Sequence, residues 1–349
     1  MKVSWVNHKE IDFDNIKTLL NVSMRTNQMT NYGPVVRSLE NFFTKELGIE
    51  KEKAVIVVAN GAVGLHALVS GIEMVHGKKL YATQAFTFPC SAQGSLMDSV
   101  IVDIDDEMGL DLAQLDVENI DGIIVTNLFG HTTQISKYIE WAEKHNKILL
   151  FDNATVSKTL YKGINALNYG VGSIVSLHHT KPIGYGEGGL IIVDKKYEDN
   201  IRKCINFGFN LEKGILKWNR HGSNYKMSEI SAAFILDYLK NFSGIVSKHI
   251  ELYKYFLESI KDIDVVTFPN FSDSVPFVSC IPIIFNKPIT TDHLYQLELL
   301  GITGRKYYNP LESHAKSVDI YSRILCLPCH IDINSDVINN YINIIKTFL

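Results

Sequence analysis

The sequence contains no apolar run that approaches the roughly 18 residues a transmembrane helix needs. Its longest apolar runs have the length of a strand. The first residues carry charges throughout and lack the apolar core of a secretory signal. These absences predict a protein that neither inserts into a membrane nor is exported.

Cysteine is also scarce, with 5 residues scattered along 349. An odd number of distant cysteines does not suggest a disulfide framework, and with no signal segment it favours a cytoplasmic location. The 34 Lys and Arg face 38 Asp and Glu, a net charge of −4. Since this balance provides no global field for nucleic acid or anionic lipid, any anionic partner must be bound by local groups.

Apolar residues make up 46% and charged residues 21%, as expected for a folded globule of one large or two medium domains. Short apolar runs rich in β-branched residues alternate with segments of helical period, such as 62–75 and 134–145. This alternation predicts an α/β fold in which helices cover both faces of a mostly parallel sheet, giving three layers. The predicted strands are 54–59, 99–103, 122–126, 148–152, 173–177 and 190–193.

After Gly222 the pattern changes to a long helical region at 228–261. Strand-like runs follow at 275–285 and 324–328, with helices near 291–300 and 335–349. We expect residues 1–240, the N-terminal segment included, to form a large domain and 241–349 a small α+β domain. The polar loop 270–274 stands out as a candidate mobile segment.

Three features have the residue types that chemistry requires. A strand turns through Asn60 and Gly61 directly into a helix, whose unpaired N–H groups are suited to a phosphate, although glycine also starts helices for backbone reasons alone. Asp152 ends a buried strand, where it either faces a ligand crevice or caps a helix. Lys181 follows another strand end and precedes four glycines, a setting in which a lysine becomes an amine nucleophile, although most lysines are surface charges.

In this order, the three features match what pyridoxal 5′-phosphate (PLP) requires. Its phosphate needs N–H donors, its pyridine nitrogen a carboxylate, and its aldehyde an amine. At these residues the chain resembles the DegT/StrS-type sugar aminotransferases, which are PLP enzymes of fold type I. The resemblance is densest at 31–40, 60–62, 86–88, 103–105, 129–130, 152–154, 176–189, 222–233, 307–311 and 327–328.

The resemblance implies that Lys181 holds the cofactor and moves protons, and that Asp152 partners the pyridine nitrogen. Phe88 looks like the aromatic residue that stacks on the cofactor ring. The phosphate ligands implied are Gly61, Ala62, Ser176 and, from the neighbouring subunit of a homodimer with shared sites, Asn224, with Lys226 as its substitute. Two residues depart from the family pattern. Thr155 stands where Gln is usual and can still donate a hydrogen bond to the cofactor's phenolic oxygen, with a shorter reach. Ala62 stands where Thr or Ser is usual, so one hydroxyl contact is missing.

The resemblance further implies L-glutamate as amino donor and a nucleotide-linked 4-keto-6-deoxyhexose as acceptor, with dTDP and C4 preferred, for an amino sugar of a surface polysaccharide. Arg305 with Tyr307 and Tyr308 is the preferred substrate-facing group. Further candidate substrate residues are Glu187, Arg220 and, of the adjacent pair His178 and His179, His179. A 3-keto-sugar aminotransferase of the same family and a non-catalytic PLP-binding regulator remain as alternatives.

One motif suggests a different chemistry. Cys326, Cys329 and His330 have the spacing of c-type haem attachment. Without an export signal we expect a buried strand there instead, with a redox pair as a further alternative. The other cysteines lack the paired spacing of a zinc site, so no metal is predicted.

Overall fold

The computed structural model describes residues 2–269 and 273–349. The helices are α1 (Phe13–Arg25), α2 (Pro34–Glu46), α3 (Gly61–His76), α4 (Ile135–His145), α5 (Lys195–Cys204), α6 (Glu229–Tyr238), α7 (Phe242–Ile260), α8 (Thr291–Leu299), α9 (Ala315–Arg323) and α10 (Ser335–Phe348). The strands are β1 (Lys53–Val58), β2 (Tyr81–Gln84), β3 (Val100–Val102), β4 (Gly122–Thr126), β5 (Ile148–Asp152), β6 (Leu160–Tyr161), β7 (Ile164–Asn165), β8 (Gly172–Ser176), β9 (Gly189–Asp194), β10 (Asn210–Glu212), β11 (Ile215–Lys217), β12 (Val266–Thr267), β13 (Ser274–Val275), β14 (Cys280–Ile284) and β15 (Ile324–Pro328).

A seven-stranded sheet in the order β1-β9-β8-β5-β4-β2-β3 forms the centre of the molecule. It is parallel except for β9, which runs antiparallel to both of its neighbours. Along β1, Val55 and Val57 pack with α2 and α6, whereas Ile56 and Val58 pack with α3 and α5. Because successive side chains point to opposite faces, an unbroken apolar strand can fill two cores at once. The predicted three-layer α/β architecture with a mostly parallel sheet is confirmed.

The six strands predicted in this sheet are present within a residue or two of the expected bounds, but β2 was not predicted. Its Thr83 and Gln84 are buried and make hydrogen bonds to the neighbouring strand, Thr83 Oγ1 to the Ile124 carbonyl and the Thr126 N–H to Gln84 Oε1. The long predicted helix 228–261 is two helices separated by a short turn at 239–241.

The C-terminal part contains the antiparallel sheet β12-β14-β15. Apolar residues of α7, α8 and α10 pack on it. Val3 pairs with Ile302 and belongs to the same core, so the start of the chain lies against this part of the molecule. The division at residue 240 stays a prediction, and residues 270–272 of the expected polar loop lie outside the described residues.

The register of the sheet places three predicted site segments at one edge. Val58 of β1 and Ser176 of β8 both pair with Gly189, and Asp152 at the end of β5 pairs with Ile174. The turn into α3 begins two residues after Val58. Ligands of open α/β sheets bind beyond the carboxyl ends of parallel strands, which is where these segments meet. None of the helices within the described ranges has the length and apolar character needed to cross a bilayer.

Candidate active site

A cavity of about 450 Å³ opens at this edge of the sheet. It brings together ten residues that the sequence predicted for the site. They are Gly61, Ala62, Phe88, Thr155, Ser176, Lys181, Glu187, Arg305, Tyr307 and Tyr308.

The N-terminus of α3 forms one end of the cavity. Asn60 caps the helix, its Oδ1 accepting the Val63 N–H at 3.0 Å. The first N–H groups of a helix have no partner within it and carry partial positive charge, so Gly61 and Ala62 offer two donors to an anion. A Cβ on Gly61 would lie 3.1 Å from Ser176 Cβ, so glycine permits helix and strand to approach this closely. The hydroxyl of Ser176 adds a third donor beside them.

Asp152 does not itself line the cavity, but its almost fully buried side chain contacts Cys90 and Ala154, which do. Its Oδ1 accepts the Ala154 N–H at 3.0 Å, and its Oδ2 accepts the Ser91 hydroxyl at 3.1 Å. Burial raises the pKa of the Asp152 carboxyl, while these hydrogen bonds and the charge of Lys181 act in the opposite direction. A cationic ring nitrogen at this point would complete the set of groups that stabilise the carboxylate.

Lys181 stands on a tight loop after β8. Its N–H donates to the His178 carbonyl at 2.8 Å, and its carbonyl accepts the Gly184 N–H at 3.1 Å. Burial lowers the pKa of the Lys181 amine, with Cys280 and Asp152 acting against that shift. The environment therefore favours the neutral, nucleophilic form of the amine.

Aromatic side chains form the walls. Phe88 is 55% exposed although it is apolar, so the ring presents a free face at the cavity. Tyr308 stacks on Phe129 with ring centroids 5.5 Å apart and meets Phe88 edge-on at 6.4 Å. A planar ligand placed on Phe88 would be enclosed by this group.

The opposite end of the cavity carries positive charge. Arg305 donates to the Tyr307 hydroxyl at 2.6 Å, and its guanidinium lies 4.8 Å from the ring centroid of Trp5. A guanidinium offers planar paired donors that match phosphate and carboxylate oxygens. This geometry agrees with the predicted place of Arg305 and Tyr307 on the substrate side.

The two adjacent histidines point in different directions. His178 lines the cavity, with its Nε2 3.6 Å from Glu187 Oε1. His179, the predicted substrate residue, packs edge-on against Tyr185 at 5.2 Å and does not line the cavity among the described residues. The cavity of a single chain thus includes His178, whereas His179 was the predicted substrate residue.

Two further predicted residues lie away from the cavity of their own chain. Asn224 and Arg220 are both exposed on the segment that follows the hairpin β10–β11. Asn224 was predicted to serve the neighbouring subunit, and its exposure is compatible with that role. As binding residues, Arg220, His179 and Asn224 stay predictions.

Thr155 lines the cavity, but its hydroxyl donates to the Asn127 carbonyl at 3.2 Å. The hydrogen bond predicted from Thr155 to a cofactor oxygen would require this hydroxyl to rotate. Several residues at the cavity were not predicted, and all but Thr180 lie on segments distant from the glycine-rich loop. They are Trp5, Cys90, Phe129, Thr180, Ser279 and Cys280.

The Cys-x-x-Cys-His motif is part of the protein core. Cys326 lies inside β15, Cys329 is buried, and His330 Nε2 is 3.0 Å from the Ser4 carbonyl. This packing does not suit haem attachment and agrees with the expected buried strand. Within residues 2–269 and 273–349, no three His, Cys, Asp or Glu side chains converge as metal ligands would.

The donor set fits PLP. Two helix N–H groups and a hydroxyl are suited to its phosphate, the buried Asp152 to its pyridine nitrogen, Lys181 to its aldehyde, and Phe88 to its ring. The absence of a Cβ at Gly61 leaves the space beside Ser176 in which a phosphate would lie.

Comparison with known proteins yields relatives across the whole chain. A dTDP-4-amino-4,6-dideoxy-D-glucose transaminase of Shigella dysenteriae is 25% identical, with 94% of each chain covered. A UDP-4-amino-4,6-dideoxy-N-acetyl-beta-L-altrosamine transaminase of Campylobacter jejuni is 25% identical over 71% of this chain and 67% of its own. The crystal structure of DesI with its TDP-sugar product superposes with a TM-score of 0.85 at 21% identity, covering 99% of this chain and 92% of that chain.

The DegT/DnrJ/EryC1/StrS aminotransferase family matches residues 10–346, which include every predicted site residue. The resemblance inferred from the separate motifs is thereby confirmed over nearly the full length. The chain belongs to the DegT/DnrJ/EryC1/StrS aminotransferase family.

Proposed function

We propose that this protein is a PLP-dependent aminotransferase that transfers the amino group of L-glutamate to C4 of a dTDP-linked 4-keto-6-deoxyhexose. The observation that carries the proposal is the single cavity in which Lys181, the α3 N-terminus and Phe88 meet above the buried Asp152. The choice of nucleotide and carbon rests on the Shigella relative, whose name gives dTDP and a 4-amino product. The product would serve the biosynthesis of a surface polysaccharide in the cytoplasm.

When bound, PLP supplies an electron sink that stabilises negative charge at the carbon that loses a proton. Asp152 would hold a proton on the pyridine nitrogen, and the Ser91 hydroxyl and the Ala154 N–H fix the direction of its carboxylate. Gly61, Ala62 and Ser176 would hold the phosphate. Phe88 would pack against the ring and exclude water from it.

Lys181 performs the proton transfers. Its Nζ would take the proton from the α-carbon of the amino donor and, in the second half of the reaction, would give a proton to the sugar carbon that receives the amino group. A lysine whose pKa is lowered by burial is suited to both steps, since burial favours its neutral form. The adjacent glycines let the loop bring this amine into the cavity.

Arg305 and Tyr307 bind the polar end of the substrate, and the aromatic ring of Trp5 supports the guanidinium from one side. Glu187, exposed at the cavity rim beside His178, is placed to meet a sugar hydroxyl. Asn224 of the second subunit in a homodimer completes the phosphate site in this proposal.

The first test is an assay of the purified protein with PLP, L-glutamate and a panel of dTDP-, UDP- and GDP-linked 4-keto and 3-keto sugars. We expect amination of the dTDP-linked 4-keto sugar, read by mass spectrometry and NMR. Lys181→Ala should abolish turnover and the visible absorbance of the loaded enzyme, because no amine remains to attach the cofactor. Lys147→Ala, at the opposite edge of the sheet, is the control and should retain both.

The other possible outcomes of these assays each contradict a different part of the proposal. Amination only of a 3-keto sugar contradicts the C4 proposal but keeps the enzyme class. Full turnover by Lys181→Ala contradicts the catalytic role of this lysine. Cofactor binding without amination of any sugar favours a regulatory protein.

A further inference from the structure

Lys9 is a lysine from the start of the chain that lies buried against the loop of Lys181. Its Nζ donates to the carbonyl oxygens of His179 at 2.7 Å and Lys181 at 2.8 Å, and also to that of Gly184. All three hydrogen-bonding positions of the ammonium are therefore used on one loop. Its Nζ also lies 4.7 Å from the ring centroid of Tyr238.

Burial of a lysine ammonium costs free energy unless its N–H donors all find hydrogen-bond acceptors. A lysine is rarely buried without a partner, and the burial of Lys9 lowers the pKa of its amine to about 7. No carboxylate pairs with Lys9 among the ion pairs of the described residues. Its partners are main-chain carbonyls, so its role concerns the backbone of the loop.

The carbonyls that Lys9 binds lie on both sides of the reactive amine. His179 precedes Lys181 and Gly184 follows it, so Lys9 closes the loop across its base. The turn at Gly184 is tight, because a Cβ there would lie 2.2 Å from the His178 carbonyl oxygen. The backbone on both sides of Lys181 is thereby fixed, and Lys181 keeps only its own side-chain torsions.

The segment that carries Lys9 is itself anchored elsewhere. The His8 N–H donates to Asp332 Oδ2 at 2.9 Å, and the Ser4 carbonyl meets His330 Nε2 at 3.0 Å. Trp5, between these anchors, contacts Arg305 at the far end of the cavity. The N-terminal segment 3–9 thus connects the lysine loop with the substrate side of the site.

We propose that Lys9 is a positioning residue that fixes the loop from which Lys181 reaches the cofactor. This inference rests on the proposed function, in which Lys181 is the catalytic amine. Lys9 acts through the backbone of the loop and contacts no substrate.

The test is Lys9→Met, which keeps the length of the side chain and removes its charge and its donors. The matched control is Lys147→Met. This lysine is half-buried and lies at the opposite edge of the sheet, where its Nζ donates to the Ile120 carbonyl at 2.7 Å. In the cofactor-free protein, hydrogen exchange of residues 177–188 should become faster in Lys9→Met and stay at the wild-type rate in Lys147→Met.

With the cofactor bound, kcat of Lys9→Met should fall by roughly 10- to 100-fold, as expected for a displaced catalytic group, with little change in KM. The pH midpoint of the visible absorbance should also shift. This midpoint does not depend on the fraction of enzyme that is folded, so a purely structural role of Lys9 would leave it unchanged.

Exchange, kcat and midpoint equal to those of Lys147→Met would overturn the inference. If Lys9→Met does not fold, Lys9→Leu, which also lacks donors, is measured in its place, and wild-type values there overturn it equally. An active Lys181→Ala variant would instead overturn the proposed function, whatever Lys9 does. Because loop exchange is measured without cofactor, the two failures are distinguishable.

Discussion

The two central side chains of the site have pKa values shifted toward their neutral forms. Burial raises the pKa of Asp152 and lowers that of Lys181. Opposite pKa shifts of this kind are typical of sites where a carboxyl group binds a cationic ligand and an amine acts as a nucleophile. In the cofactor-free protein, the lowered pKa of the Lys181 amine can be measured directly.

We predict that a small amine-reactive reagent modifies Lys181 of the cofactor-free protein at a lower pH than a short lysine peptide. A lowered pKa means that the neutral amine, which is the reactive form, appears at lower pH. Peptide mass spectrometry after brief labelling at a series of pH values gives the midpoint. A midpoint at or above that of the peptide would contradict the burial of this amine.

Among single residues, the sequence indicated those site residues that lie close together on one continuous segment. Ser176 ends β8 and Lys181 lies on the loop after it, and Gly61 and Ala62 start the helix after β1. The strand ends indicated Gly61 and Lys181, whereas Ala62 and Ser176 came from the family resemblance. Sequence could not decide between His178 and His179, because the direction of a loop side chain depends on tertiary contacts such as that of His179 with Tyr185.

At the scale of elements, some family motif residues are structural. Glu229 is buried at the N-terminus of α2, where it accepts the N–H groups of Val35 at 2.7 Å and Val36 at 2.9 Å and the hydroxyl of Ser23 at 2.5 Å. A Cβ on Gly33 would lie 2.3 Å from its carboxyl carbon. Gly33 therefore leaves the space that the Glu229 carboxylate occupies, and this carboxylate joins α6 to the N-terminus of α2.

We predict that Glu229→Gln lowers the free energy of unfolding by about 2 kcal/mol, because a negative charge at a helix N-terminus and hydrogen bonds to it are lost. Urea unfolding of the cofactor-free protein measures this change. Glu251→Gln, on the exposed side of α7, is the control and should stay near wild type. Equal stability of the two variants would show that α2 does not depend on this carboxylate.

Helices and strands were predicted from the sequence where their buried residues are apolar and form a regular pattern. The strands β1, β4 and β5 are apolar on both faces and were predicted. Strand β2 was missed because its Thr83 and Gln84 are polar although they are buried. Helix α1 was not predicted, since its Val22 and Met24 are about half exposed and interrupt the apolar stripe. In both cases, partners outside the segment decide the structure.

At the scale of the whole molecule, the substrate side of the site combines both ends of the chain. Trp5 and Arg305 are 300 positions apart, and no local pattern indicates that they meet. The hairpin β10–β11 and its flanks also expose large apolar residues, with Leu211 69%, Leu216 62% and Trp218 72% exposed. Exposed apolar surface of this size on one hairpin indicates a binding partner, and a second copy of the chain is the partner in our proposal.

The shared site of a homodimer predicts complementation between two impaired variants. Lys181→Ala lacks the reactive amine, and Asn224→Ala lacks the phosphate ligand proposed to act in the other subunit. In a mixed dimer, one site combines the intact Lys181 of one chain with the intact Asn224 of the other. Random reassociation of equal amounts should therefore restore about a quarter of the wild-type activity, because half of the dimers are mixed and each has one complete site.

The measurement is turnover after co-refolding or co-expression of the two variants, compared with the variants alone and with the same mixture kept as separate dimers. If Lys181 and Asn224 acted within one chain, every site in a mixed dimer would carry a defect, and mixing would restore nothing. Activity equal to the average of the separate variants would thus contradict a shared site, even if the protein is a dimer. Recovery above that average requires that the exposed segment carrying Asn224 reaches the cavity of its partner.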